Sequence, residues 1–136
     1  MAVSPNSIIT PQQPRANSVT LSTTANTNYT APTNTTLIAN AGVNGARLTK
    51  LRVIPTGTVT ATQIQLFRSS DSGVTKRFVN SILVPAYSMS GTTIASQTDF
   101  GFSDISPMIL TANEQIYLAP GVSGAAINAE CEWADY

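Results

Sequence analysis

Two carboxylates two residues apart, Glu130 and Glu132, are the first residues here whose types suggest chemistry. A pair of carboxyl groups flanking a sugar could cleave a glycosidic bond. Residues i and i+2 of a strand, however, point the same way. Such neighbours cannot face each other across a substrate, and they suit a solvated strand face or salt bridges. Calcium takes about six oxygens from a shaped loop, which this pair does not supply. Between them lies Cys131, the sole cysteine, and the chain has no histidine. A serine or cysteine nucleophile therefore has no imidazole base. Zinc has no ligand set, and no intrachain disulfide can form. On its apolar strand face Cys131 is expected to behave as a small hydrophobe. The expectation is a non-enzymatic protein that needs no cofactor or metal.

The stretch SSDSGVTKRF offers a second constellation. Its spacing Ser69-x-Asp71-x-Gly73-x-Thr75 is similar to the Asp-box, a hairpin motif repeated in sialidases and related propeller proteins. The resemblance covers residues 69–76, with Lys76 where that family has an aromatic. In that family the motif is a structural turn, so the resemblance implies a turn and no catalytic residue. The physical reading agrees. Asp71 and the serines can accept hydrogen bonds from turn amides, and Gly73 can take a positive φ. Apolar runs at 64–67 and 78–84 then pair as a long central hairpin over 62–84. Asp99-Phe100-Gly101 shares only spelling with the kinase triplet, since no phosphate loop or catalytic loop accompanies it. Phe100 and Phe102 are expected to pin their loop to the core.

Only 10% of the 136 residues are charged, and seven basic residues balance seven acidic ones. A typical domain has about 25%. A general nucleic-acid or membrane-surface binder would show a basic excess. Arg47, Lys50 and Arg52 on one strand, with Lys76 and Arg77 on another, would make a modest basic patch if those strands were neighbours. An ordinary charged face is the simpler expectation. A weakly charged, near-neutral surface favours self-association, which suits an assembly component whose surface partners cover. The first residues lack a basic n-region followed by an apolar run, so no signal peptide is read there. No apolar run approaches the roughly 18 residues of a membrane-spanning helix. A soluble protein made in a cytoplasm is expected. The sequons at Asn28 and Asn34 are accordingly given little weight.

These residues must be placed by strands. Pro5, Pro11 and Pro14 exclude a helix from residues 1–17 and favour extended backbone. That segment reads as an N-terminal arm, with Val3, Ile8 and Ile9 as apolar anchors. From residue 18, strand signals recur, as alternation or as short β-rich apolar runs, at 18–24, 35–39, 46–54, 62–69, 74–84, 108–110, 115–119 and 126–134. The last is the clearest, with Ile127, Ala129, Cys131 and Trp133 on one face and Asn128, Glu130 and Glu132 on the other. Gly/Pro/Asn-rich turns separate the runs. About eight short strands at this spacing predict an all-β fold, an antiparallel jelly-roll-like β-sandwich over 18–136.

The arm MAVSPNSIITPQQPR leads into a Thr/Asn-rich β domain that ends LTANEQIYLAPGVSGAAINAECEWADY. That closing hairpin resembles the C-terminal hairpins of small tailed-bacteriophage virion proteins with jelly-roll or related sandwich folds. The resemblance implies a capsid decoration (head cement) protein that binds between major capsid protein subunits, as a homotrimer on the outer surface of the virion. No nucleic acid or membrane partner is implied. Partner contacts would fall to the arm through Val3, Pro5, Ile8, Ile9, Pro11, Pro14 and Arg15. The alternative is a tail-fibre or tail-tip adhesin module for host glycans, with Tyr29, Tyr87 and Tyr136 as stacking candidates.

Overall fold

In a computed structural model, which describes residues 10–136, nine strands form two antiparallel sheets with no helix among the described residues. The strands are β1 (Gln13–Thr20), β2 (Thr36–Asn40), β3 (Ala46–Pro55), β4 (Thr62–Ser69) and β5 (Arg77–Val84). Then come β6 (Thr98–Asp99), β7 (Met108–Leu110), β8 (Gln115–Pro120) and β9 (Ile127–Asp135). One sheet runs β1-β9-β3-β6, with β7 also paired to β3. The other runs β2-β8-β4-β5. Apart from the β4–β5 hairpin and the β6–β7 pair, each connection carries the chain from one sheet to the other. Because β6 and β7 together occupy one position beside β3, the nine strands fill eight places. Two four-position sheets joined in this way are a double-sheet jelly roll, the fold expected from the strand pattern.

Side-chain alternation explains the sandwich. On β9, Ile127, Ala129 and Cys131 are buried between the sheets, with Trp133 packed partly against the same core. From β3 come Ala46, Leu48, Leu51 and Val53, and from the facing sheet Ile38, Ile64, Leu66, Ile116 and Leu118. Each fully buried Leu or Ile contributes about 1.5–3 kcal/mol. β3 does not keep strict period two. Its register against β9 shifts between Leu48 and Lys50. The bulge leaves Thr49 unmatched and resets the phase, so Leu51 and Val53 point inward while Lys50 and Arg52 face water.

Four expectations change. The first strand begins at Gln13 rather than at 18, because residues 13–17 already pair with β9. Residues 86–105, open in the sequence to a strand plus a long loop, contribute only the two-residue strand β6. The closing segment is not a hairpin. β8 pairs with β2 and β4, β9 pairs with β1 and β3, and residues 121–126 cross between the sheets. The 62–84 hairpin forms, yet it is lateral rather than central, with β5 at a sheet edge.

Cys131 is fully buried, and burial, aided by the charge of Glu132, pushes its thiol up to about 12. A thiol reagent at neutral pH should therefore label the native protein at a negligible rate and label it promptly in denaturant.

Candidate functional site

The candidate surfaces are built by two connections and one sheet face. The turn at 70–76 joins β4 to β5. Asp71 Oδ1 accepts from the Ser69 hydroxyl at 2.8 Å and from the Thr75 amide at 2.8 Å. The Gly73 amide donates to Ser69 Oγ at 2.9 Å. The Thr75 amide first, then the Ser69 hydroxyl, hold the Asp71 carboxyl below its ordinary range. Gly73 has φ of 85°, and a Cβ there would collide with the Tyr117 hydroxyl. Lys76 donates to the Gly73 carbonyl at 2.9 Å, and its ammonium lies 4.8 Å from the Tyr117 ring centroid. The Ser-x-Asp-x-Gly pattern thus specifies a turn, and its polar groups are consumed by it.

The long connection at 21–35 folds back over the outer face of the β2-β8-β4-β5 sheet. Asn26 is buried and bonds Gln65 Oε1 at 2.7 Å, while Gln65 Nε2 returns a bond to the Asn26 carbonyl at 3.3 Å. Tyr29 stacks on Phe78 at 4.2 Å, and Phe78 tilts against buried Phe67 at 5.6 Å. Both sequon asparagines serve this loop. Asn28 Oδ1 accepts the Thr30 and Ala31 amides, and Asn34, at φ of 57°, donates to the Ala25 carbonyl.

The outer face of the other sheet carries two cross-strand ion pairs. Glu132 pairs with Lys50 at 2.7 Å and Glu130 with Arg52 at 3.1 Å, across strands β9 and β3. Exposed pairs of this kind contribute about 0–1 kcal/mol each. They neutralise the face. The two groups of basic residues lie on different sheets, so the structure does not bring Arg47, Lys50 and Arg52 together with Lys76 and Arg77. Arg47 instead donates to the Asp104 carbonyl. Phe100 is buried in the core and Phe102 packs against it.

Of the arm residues, Val3, Pro5, Ile8 and Ile9 lie outside the described residues. Pro11 is exposed just before β1. Pro14 and Arg15 are in β1, opposite Ala134 and Trp133, and Arg15 binds Asp135 at 2.9 Å within the same chain. The three candidate tyrosines do not converge. Tyr29 lies on Phe78. Tyr87 bridges to Val59 and donates to the Thr93 carbonyl, and Tyr136 meets Gly45 at the other end of the sandwich. Sequence reasoning missed the Arg68–Glu114 pair, at 2.5 Å, which ties β4 to the turn before β8. Residues 46 positions apart leave no local signal.

No protein-family model matches the chain, and no curated protein matches its sequence. Solved structures similar to it include infectious bursal disease virus, Gx strain, at 12% identity and TM-score 0.36, covering 99% of this chain and 36% of that one. The Gt strain gives 11% and 0.32, covering 98% and 35%. A mutant VP2 protein of the same virus, in derived T=1 particles, gives 12% and 0.33, covering 98% and 35%. The chain therefore spans about a third of those chains. At these TM-scores the fold assignment rests on the strand pairing itself.

Two outcomes follow. Gly73→Ala should cost more than the ~1 kcal/mol of a left-handed residue, and Tyr117→Phe should recover part of that loss in a double-mutant cycle by urea denaturation. Burial opposes ionisation of Glu114, but hydrogen bonds from Arg68 and Thr111 outweigh it and hold the carboxyl below its ordinary range. A depressed acid stabilises the fold above its unfolded pKa and loses that effect as pH falls through its folded pKa. Glu114→Gln should thus cost about 1–3 kcal/mol at pH 7. The difference from wild type should shrink below about pH 4.3.

Proposed function

We propose that this chain is a structural virion protein that decorates and stabilises a bacteriophage capsid by binding between major capsid protein subunits. One observation carries the reading. Side chains that could do chemistry are used within the fold, while apolar side chains at the ends of the sandwich are left uncovered. Asp71, Glu114, Glu130, Glu132 and Cys131 all hold turns, ion pairs or core. Val43 is 72% exposed and Val74 85%, and Ile109 is exposed beside them in the topology. These three sit at the end where β2–β3, β4–β5 and β7–β8 connect. Gln12 is bonded there to Asp135, so the chain enters β1 at that same end. That end is the face offered to the lattice, with the arm reaching from it along neighbouring subunits. An extended segment covers much area per residue at an ordering cost. A protein that binds only the mature lattice stabilises it by mass action.

The adhesin reading rests on Tyr29, half-exposed over Phe78. The two are separated by mixing the purified protein with expanded empty capsids and with host cells. Capsid binding that raises the capsids' thermal disruption temperature is expected, and removal of residues 1–9, which spares β1, should weaken it. Binding to cells with indifference to capsids would overturn the proposal.

A further inference from the structure

A sheet edge presents unpaired N–H and C=O groups that invite another strand, and proteins guard such edges with short strands, proline, bulges or charge. Three of the four edge positions here are guarded. β1 carries Pro14, which has no amide to offer. β2 has five residues, a register shift at Ile38, and its Ile38 carbonyl taken by the Asn17 side chain at 2.9 Å. β6 and β7 have two and three residues.

β5 differs. It has eight residues, RFVNSILV, with no proline and a single charge at its first position. Its register shift lies near the start, opposite Leu66 and Phe67, and leaves Asn80–Val84 regular. No described segment makes a backbone hydrogen bond to its outer side. The Ser81 amide is held only by the Asn80 carboxamide, at 2.8 Å. Leu83 is 63% exposed and Val79 47%. We propose that β5 is an interaction surface for a second copy of this chain, pairing antiparallel with β5 of that copy so that two four-stranded sheets become one.

The strand is self-complementary in this arrangement. With Ser81 opposite Ser81 of the second copy, Leu83 of each copy lies beside Val79 of the other. The two Arg77 side chains fall at opposite ends and do not repel. Among the four ion pairs of the described residues none uses Arg77. β6, packed across the sandwich from β5, carries Asp99, whose carboxylate binds only the Gly101 amide. Antiparallel pairing turns the Arg77 end of one copy toward the Asp99 end of the other. A contact of this kind is isologous and makes pairs. The threefold assembly implied by the resemblance to phage virion proteins would need a heterologous contact instead. The inference does not rest on the capsid reading.

The test is the solution mass of the full chain by light scattering, with two variants. The wild type should have twice the 14.3 kDa of one chain. Leu83→Lys installs the natural edge guard at an exposed position. It should give a monomer whose far-ultraviolet dichroism is unchanged. Ser81→Cys should cross-link copies on oxidation, whereas Ala16→Cys on the opposite edge should not. A monomeric wild type, or an oligomer that Leu83→Lys leaves intact, would overturn the proposal.

Discussion

The last strand holds the sandwich closed. β9 is paired along its length with β1 on one side and β3 on the other, joining residues up to 122 positions apart, as in Gln13 with Asp135. Its inner side chains Ile127, Ala129 and Cys131 are buried in the core shared with the opposite sheet, and Trp133 packs against it. Its outer side chains include two glutamates that meet Lys50 and Arg52. A slip of one residue would bury both glutamates and expose Ile127 and Cys131, so register here is strongly specified. Contacts this distant in sequence form late and slowly.

Around that frame the polar residues work locally. The Asn/Thr-rich composition, odd for so little charge, is explained by the connections. Asn26, Asn28 and Asn34 hold the 21–35 loop against the sheet, and Ser69 and Asp71 hold the β4–β5 turn. Short polar side chains suit such turns because they bond nearby amides. The surface that results is close to neutral, and it leaves several large apolar side chains uncovered, Val43, Val74, Leu83 and Ile109 among them. That combination supports docking, to a lattice or to another copy, more than it supports recognition of a charged ligand.

Much of the fold was legible, because half-buried antiparallel strands announce themselves by period two. β9, β4 and β2 were read to within a residue. The failures share a physical origin. The first half of β1, with Pro14 and Arg15, faces water and carries no apolar alternation, so the pattern marks that strand only from residue 18. β6 contributes two residues, too few for any period. The β8–β9 segment looked like a hairpin because a turn cluster does not say whether the next strand stays in its sheet. The basic patch failed for the same reason, since strand neighbours are set by pairing across the whole chain. The residues proposed to face partners are the least legible. A Pro-rich start carries no alternation to read, and the sequence does not mark that β5 lies at a sheet edge.

The proposal that the chain is a capsid-stabilising piece is tested most directly by a cryo-electron microscopy reconstruction of the phage particle proposed to carry it. The account predicts density for a nine-stranded sandwich on the outer face of the capsid lattice. Its β2–β3, β4–β5 and β7–β8 connections should point inward, with an extended segment running from β1 between capsid subunits. Density for the chain at the tail tip alone, with a bare capsid surface, would contradict it.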